Sequence, residues 1–308
     1  MKKYSKVLSL ALAFVMLFAL CACGAAETPA AEPTAVPAAD APASESPAET
    51  EAPAESQGVL DQIKADGVLY VTLSPDFAPM EFVDSSKDGQ EQYVGFDVTL
   101  AKYIADYIGV DLVIEPMSFD ACQTAVYTGS VPMSISGYSW TEERGENYEI
   151  SDYYYAGDNE TEQVILIKKT DADKYASAED FSGVDVGAQN ASLQMNLLTS
   201  QLPDANPITI GDLGVGVLEL QNGSIEALAV AKGNAEMILD SNPDLMICPW
   251  EFEVAAEYEA NVILITKGET ALLNVVNEAL AKAYADGLYG TWYEDAVALA
   301  KAEVSVED

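Results

Sequence analysis

The sequence contains no histidine and a single arginine, and basic residues are scarce. It has 14 Lys and Arg residues against 51 Asp and Glu residues, which gives a formal net charge of −37. A chain this acidic repels nucleic-acid backbones and anionic headgroups, so we expect no nucleic-acid partner. The lack of histidine excludes a Ser-His-Asp triad and metal binding through imidazole. The sequence also shows no activated nucleophile and no metal-ligand spacing, so we expect no catalytic residues, no metal site and no cofactor.

Hydrophobic residues are plentiful, and they argue against global disorder. They make up 49% of the 308 residues, which is enough for a folded core despite the charge. A chain of this length is typical of one large domain or two modest lobes.

The first 22 residues have the pattern of a signal peptide. Three lysines lie within residues 1–6, and an uncharged apolar run over residues 7–20 is too short for a comfortable membrane span. The run ends in LCACG, which resembles a bacterial lipobox and would make Cys23 the lipidated first residue of the mature chain. The alternative is an ordinary secretory signal with incidental cysteines.

The segment that follows the cleavage site is predicted to be a tether. Residues 24–57 contain twelve alanines, six prolines and seven acids, but no lysine, arginine or aromatic residue. Recurrent prolines prevent sustained helix, and so little apolar surface cannot support a fold. We therefore expect residues 23–57 to hold the folded part away from the membrane.

From residue 58 onwards, strand-like and helix-like patterns alternate. Predicted helices cover 59–66, 97–108, 119–128, 193–201, 213–221, 234–240, 271–285 and 292–301, and another begins at 141. Predicted strands cover 68–73, 111–114, 133–136, 164–167, 184–188, 208–210, 227–230 and 262–266. Such alternation is typical of α/β proteins with largely parallel sheets covered by helices on both faces, and the two similar series indicate two lobes.

Eight motifs in order resemble one known family. They are LYVTLSPDFAPMEF (69–82), YVGFD (93–97), MSFD (117–120), SGYSWTEER (136–144), ISDYYY (150–155), GVDVGAQ (183–189), QNG (221–223) and VNEALAKAYADGLY (276–289). Together they look like the amino-acid-binding family of extracytoplasmic solute-binding proteins that serve ABC importers. The resemblance implies a two-lobed, periplasmic-binding-protein-like α/β fold, with two mixed or parallel sheets flanked by helices. Two hinge strands, near 154–163 and 257–261, would join the lobes.

The same resemblance implies the domain boundaries. Lobe 1 would comprise residues 58–155 and 261–308, and lobe 2 would comprise residues 156–260. Cys122 and Cys248 then fall in different lobes, where a disulfide would prevent hinge motion. We therefore expect two buried free thiols.

Arg144 is the first candidate for ligand binding. A guanidinium can hold a carboxylate through two parallel charge-assisted hydrogen bonds, which lysine cannot match. The resemblance implies that the arginine of T-x-E-R holds the ligand's α-carboxylate, and Arg144 stands at that position. The alternative is a surface or helix-capping arginine that pairs with Glu142 or Glu146.

Four further residues would supply hydrogen-bond donors to the ligand. The resemblance places Ser136, Gly137 and Ser139 at a strand end beside the carboxylate, and Ser192 at a helix start in the second lobe. Serines at such turns also serve as plain helix caps. The family often has glycine where Ala191 stands here, which makes the approach on that side tighter.

The resemblance also implies an apolar part of the site. Phe77 and Phe119 correspond to the positions that sandwich the ligand side chain, with core packing as the alternative. Ser74 stands at the end of the first strand, where some members carry an aspartate. Tyr138 and Trp140 would either add an aromatic wall or pack in the core.

One departure from the family bears directly on the ligand. The aspartate that usually binds the α-ammonium is replaced by Ala231, and a buried ammonium without a carboxylate partner is strongly unfavourable. Either Asp76, Glu251 or Asp158 takes its place, or the ligand lacks a free α-amine.

The predicted function is therefore ligand capture for an ABC importer. The ligand would be an amino acid or a related small carboxylate. The protein would be monomeric and extracytoplasmic. It would attach to the membrane through its lipid anchor and bind the permease subunits of the importer. One alternative is an enzyme that resembles cyclohexadienyl or arogenate dehydratases, with Glu226 or Asp76 as an acid. The other is a ligand-sensing module for a membrane partner.

Overall fold

A computed structural model describes residues 58–155, 162–258 and 260–304 of the chain. The predicted signal peptide, Cys23, the tether, Asp158 and most of the first hinge crossing lie outside these residues. Both sheets described below belong to one compact unit, Glu55–Asp308.

The α-helices of the described residues agree closely with the predicted segments. They are α1 (Val59–Asp66), α2 (Phe96–Ile108), α3 (Phe119–Tyr127), α4 (Glu142–Asn147), α5 (Leu193–Gln201), α6 (Leu213–Asn222), α7 (Lys232–Ser241), α8 (Thr270–Ala285) and α9 (Leu288–Val304).

The β-strands include several short segments that the sequence patterns did not predict. The strands are β1 (Val68–Leu73), β2 (Asp76–Phe77), β3 (Glu81–Val83), β4 (Tyr93–Val94), β5 (Asp111–Pro116), β6 (Met133–Ser139), β7 (Glu149–Ile150), β8 (Gln163–Lys168), β9 (Asp185–Gln189), β10 (Asn206–Ile210), β11 (Ala227–Ala231), β12 (Leu245–Ile247) and β13 (Asn261–Ile265).

The strands form two five-stranded sheets of the same design. The first has the order β5-β1-β6-β13-β7 and the second the order β10-β9-β11-β8-β12, with β2, β3 and β4 in a small third sheet. In each large sheet the first three strands are parallel, and the last two join through antiparallel pairs. The predicted α/β class with mixed sheets is confirmed.

Helices cover both faces of the second sheet, as its strand burial shows. Val164 and Leu166 of β8 belong to one apolar cluster, whereas Ile165 and Ile167 belong to another. Successive strand residues point to opposite faces, so each face has its own core. All five residues of β11 are buried. This explains why its sequence is a continuous apolar run rather than an alternating one.

The start of α2 requires a glycine. Gly95 has φ +121°, and a Cβ added there would lie 2.3 Å from the Met80 carbonyl oxygen. That carbonyl accepts a hydrogen bond from the Asp97 N–H (2.8 Å), and the Pro79 carbonyl accepts one from the Phe96 N–H (3.1 Å). The chain before β3 therefore fills the position that a side chain at residue 95 would need.

Three helices that follow strands of the two large sheets begin with side-chain caps. Thr141 of α4, Ser192 of α5 and Asp212 of α6 each accept a backbone N–H from the first turn. These caps satisfy donors that would otherwise be unpaired, and they fix where each helix starts. Both α4 and α5 thereby direct their first turns toward the same region between the sheets, described below.

Two further expectations concern cysteines and membrane spans. Cys122 and Cys248 are free and buried, as predicted. Within the described ranges, no helix combines the length and the apolar character needed to span a bilayer.

Candidate functional site

A small cavity lies where the ends of β6 and β9 approach each other. Its volume is about 20 Å³. One side is lined by six of the eight predicted ligand-binding residues: Phe77, Phe119, Ser136, Gly137, Ser139 and Arg144. The other side is lined by three residues that sequence reasoning missed: Gln189, Leu193 and Gln194. The predicted residues are thus gathered in one place, while their contact with a ligand stays a prediction.

The remaining two predicted residues, Ser74 and Ser192, bond to residues that line the cavity. The Ser74 N–H donates to Ser136 Oγ (3.0 Å), and its hydroxyl donates to Asp76 Oδ1 (2.7 Å). The Ser192 hydroxyl donates to the Gln189 carbonyl (2.7 Å) and caps α5. In this arrangement both serines support the walls of the cavity.

Arg144 is buried at this site, with only 4% of its surface exposed. Its Nη1 donates to the Ser139 carbonyl (2.6 Å) and its Nε to Gln123 Oε1 (3.3 Å). Its Nη2 donates across the cavity to the Ala191 carbonyl (2.8 Å). Three of the five guanidinium N–H groups are thereby used, and two are left for another acceptor.

No carboxylate among the described residues forms an ion pair with Arg144. Pairing with Glu142 or Glu146, the alternative raised by the sequence, is therefore not what the structure shows. Burial lowers the pKa of the guanidinium to about 10, which still leaves it charged at neutral pH. A buried cation without an anionic partner is energetically costly, and a ligand carboxylate would compensate it.

Aromatic rings surround the guanidinium. Its central carbon lies 5.1 Å from the Tyr138 ring centroid and 5.8 Å from that of Phe119. Tyr138 is fully buried, and its hydroxyl is within 2.8 Å of Ser134 Oγ. Two roles were considered for Tyr138 and Trp140, an aromatic wall of the site or packing in the core. Both rings pack in the same apolar core cluster, which agrees with the second role.

Phe77 lies against the backbone of Gly137. Gly137 has φ +57°, and a Cβ there would lie 2.9 Å from Phe77 Cε1. Glycine is therefore needed for both the backbone conformation and the close approach of the ring. Phe77 also packs against core clusters of both large sheets, which places it between the two halves of the fold.

Hydrogen bonds join the two sides of the cavity. Asp76 Oδ2 accepts from Gln189 Nε2 (2.9 Å) and from the Leu213 N–H at the start of α6 (2.8 Å). Burial raises the pKa of the Asp76 carboxyl, although the hydrogen bonds from the Ser74 hydroxyl and the Leu213 N–H oppose the shift. Further cross-cavity bonds are Asn190 Nδ2 to Asp120 Oδ2 (3.1 Å) and Asn234 Nδ2 to the Ala78 carbonyl (2.9 Å).

The acids considered as partners for a ligand ammonium lie in different parts of the fold. Ala231 ends β11 with 1% exposure and offers no carboxylate. Glu251 is exposed and lines a different groove, and Asp158 lies outside the described residues. Asp76 bonds directly to Gln189, which lines the cavity. Asp76 is thus the candidate acid closest to the site by its contacts.

Glu226, the other acid considered for an enzyme, lies away from the cavity. Its Oε2 accepts from the Asp185 N–H (2.7 Å) at the first residue of β9. The cavity lies at Gln189, the last residue of the same strand. Glu226 is therefore at the opposite end of the sheet from the residues that would bind a substrate.

Comparison with known proteins agrees with this architecture. A crystal structure of an amino acid ABC transporter substrate-binding protein from Streptococcus pneumoniae, bound to L-arginine, has a TM-score of 0.71 and 31% identity, covering 78% of this chain and 98% of that one. An ancestral amino-acid-binding protein, described as a precursor of cyclohexadienyl dehydratase, has a TM-score of 0.66 and 30% identity, covering 77% and 98%. A probable histidine-binding protein from Campylobacter jejuni is 26% identical over 72% of this chain and 82% of its own.

The family comparison covers most of the described chain. Residues 69–296 match the model of the bacterial extracellular solute-binding proteins, family 3. That span includes both large sheets apart from Val68 and every residue that lines the cavity. This protein is a member of the family 3 bacterial extracellular solute-binding proteins.

Proposed function

We propose that this protein is the lipid-anchored substrate-binding component of an ABC importer, and that it captures an amino acid or a related small carboxylate. The observation that carries the proposal is Arg144, a buried guanidinium at a cavity with two N–H groups to spare. A carboxylate is the group that this geometry accommodates best, because it accepts two parallel hydrogen bonds. The relatives named above bind amino acids according to their descriptions, which supports the same ligand class.

Closure of two lobes around the ligand is the second part of the proposal. A cavity of about 20 Å³ has room for about one water molecule. A ligand the size of an amino acid can therefore enter only when the two lined sides separate. The hydrogen bonds from Arg144 to Ala191, and from Gln189 and Leu213 to Asp76, would break on opening and re-form or exchange on closure.

The lobes would follow the two sheets. β1, β5, β6 and β7 precede residue 156 and share a sheet with β13, which begins at Asn261. The strands of the second sheet all fall between Gln163 and Ile247. This supports lobe 1 as residues 58–155 with 261–308, and lobe 2 as residues 156–260.

The ligand's amine is proposed to interact with Asp76. No acid replaces Ala231 at the end of β11, whereas Asp76 contacts the cavity wall through Gln189. The relatives named above are described as binding arginine or histidine, whose side chains are basic. Their ligands support a cationic group as the partner of the Asp76 carboxylate. An amine-free carboxylate remains the competing ligand class.

A matched ligand screen tests the proposal. We expect an amino acid to raise the melting temperature by several degrees, because a ligand at about 100 times its Kd adds about 2.7 kcal/mol of stability. Each amino acid is compared with its decarboxylated amine, which removes the group for Arg144, and with its deaminated acid, which removes the group for Asp76. If no compound with a carboxylate shifts the melting temperature or binds in calorimetry, the proposal fails. If deaminated acids bind as well as amino acids, the role of Asp76 is wrong.

The lipid anchor is tested separately, at Cys23. We expect the full-length chain to incorporate a fatty-acid label and to sediment with membranes, because two or more acyl chains give stable anchoring. Cys23→Ser should lose the label and be released, whereas Cys21→Ser should keep both properties. Retention of the label by Cys23→Ser would rule out this residue as the acylation site. Size-exclusion chromatography of the released protein checks the predicted monomer.

A further inference from the structure

Two acidic side chains are completely buried beneath the cavity. Glu81 of β3 and Asp97 in the first turn of α2 each have 0% exposure. Charged carboxylates are rarely found so deep unless a cation accompanies them. Among the described residues, no lysine or arginine forms an ion pair with either acid.

Both acids hold residues of the cavity floor. Asp97 Oδ2 accepts the Gly137 N–H (2.8 Å) and the Tyr154 hydroxyl (3.0 Å). Glu81 Oε1 accepts the Ser136 hydroxyl. The Ser136 hydroxyl and the Gly137 N–H therefore point into the acid pair, and they are positioned by it.

The second oxygen of each acid has no partner of its own. Glu81 Oε2 and Asp97 Oδ1 are both buried atoms for which the structure shows no hydrogen-bond donor. The two carboxyl groups accept from neighbouring residues of β6, Ser136 and Gly137, which places them side by side. One proton between them would satisfy both atoms at once, because a protonated carboxyl is a donor and a carboxylate is an acceptor.

The surrounding groups disfavour a doubly ionised pair. Burial raises the pKa of Glu81 well above its usual value, and the neighbouring charges of Asp97 and Asp76 raise it further. Burial also raises the pKa of Asp97 to about 7, although its hydrogen bonds from Gly137 and Tyr154 stabilise the anion. Among the described residues, the other titratable groups beside the pair are the buried hydroxyls of Tyr154, which donates to Asp97, and of Tyr138.

We propose that Glu81 and Asp97 share one proton, carried by Glu81 and donated to Asp97, and that this pair positions Ser136 and Gly137 at the floor of the binding cavity. Loss of the proton leaves two adjacent anions, whose repulsion moves the two residues attached to them. The proton-sharing part stands on the buried geometry alone. The effect on ligand binding rests on the function proposed above.

Infrared spectroscopy tests the shared proton directly. We expect the protein at pH 7.5, above the pKa of about 7 of Asp97, to show the carbonyl stretch of a protonated carboxylic acid, and this band should be missing from Glu81→Gln. Glutamine reproduces the donor and the acceptor of protonated Glu81, so the variant should fold. Glu91→Gln, an exposed residue near the same strand, is the control and should retain the band. Absence of the band in the unsubstituted protein at pH 7.5 would overturn the proposal.

The stability profile gives a second test. In the folded protein the pair keeps a proton that the unfolded chain releases at about pH 4, so stability is lost as the pH rises from about 4 to 7 and beyond. Glu81→Gln removes the contribution of Glu81 to this pH dependence of stability. Between pH 6 and pH 9, we expect the melting temperature of the unsubstituted protein to fall by at least about 5 °C more than that of Glu81→Gln. Parallel profiles for the two proteins would contradict the shared proton.

Ligand binding supplies the test of positioning. With an amino acid that the screen identifies, we expect affinity to fall by about tenfold from pH 6 to pH 9, in line with about one pKa unit of coupling. The affinity of Glu81→Gln should fall by less than threefold, and that of Glu91→Gln should fall like the unsubstituted protein. Equal pH dependence in Glu81→Gln refutes the positioning role. Failure of every ligand at every pH refutes the proposed function instead, while the infrared result stands independently.

Discussion

Arg144→Lys is expected to weaken ligand binding by about 100-fold or more. Lysine keeps the charge but has neither the planar fork for a bidentate carboxylate contact nor the reach to Ser139 and Ala191 together. A loss of about 3 kcal/mol corresponds to roughly 100-fold in Kd. Isothermal titration calorimetry with the amino acid from the screen gives the measurement.

The stability of Arg144→Lys separates a binding defect from a folding defect. We expect its melting temperature without ligand to stay within a few degrees of the unsubstituted protein, since a buried cation is retained at the same place. Lys64→Gln, at an exposed position on α1, is the control for a changed cation and should bind normally. Affinity within threefold of the unsubstituted protein for Arg144→Lys would show that Arg144 does not hold the carboxylate.

Gly95→Ala is expected to destabilise the protein by more than about 4 kcal/mol, which is exceptional for a single substitution and requires a specific cause such as a backbone clash. The new Cβ would lie 2.3 Å from the Met80 carbonyl oxygen and 2.7 Å from its carbon, and φ +121° is unfavourable for alanine. These atoms are backbone and cannot rotate away. Their displacement would also break the hydrogen bond from Asp97 to Met80.

The other end of α2 offers a matched control for Gly95→Ala. Gly109 also has positive φ (+88°), but no other atom lies within 4 Å of the position that a Cβ would take there. Gly109→Ala should therefore cost only the conformational penalty of about 1–2 kcal/mol. Urea denaturation of both variants measures the difference. Equal losses at the two ends would mean that the close approach at Met80 has no energetic effect.

Amphipathic patterns predicted the regular elements closely. The predicted segments 59–66, 68–73 and 193–201 coincide with α1, β1 and α5. The strands β2, β3, β4, β7 and β12 were not predicted, because two or three residues are too few to show a period of two. Their pairing depends on neighbouring chain segments and not on their own composition.

The binding cavity was predicted on one side more completely than on the other. The family motifs located Arg144, Phe77 and Gly137, which line it. Gln189 was overlooked although it directly follows the predicted strand 184–188, because its contact with Asp76 depends on how the second sheet meets the first. Spatial contacts between distant segments leave no local pattern in a single sequence.

The buried acid pair was not predicted either. Acidic residues are normally exposed, and a chain with 51 of them gives no reason to single out Glu81 or Asp97. The motif GFD placed Asp97 at a helix start, where a carboxylate is commonly found for the favourable dipole. Its burial against Glu81 follows from the close contact of the two segments at Gly95.

The position of β13 has a consequence for the order of folding. This strand lies inside the first sheet, between β6 and β7, although it follows the whole second sheet in the chain. The second sheet can pair all its strands from one continuous segment, whereas β6 stays an open edge until the C-terminal region arrives. Loop closure over such a separation is slow, and an unpaired edge is a template for association. Nascent or truncated chains that lack β13 are therefore the forms most prone to aggregate.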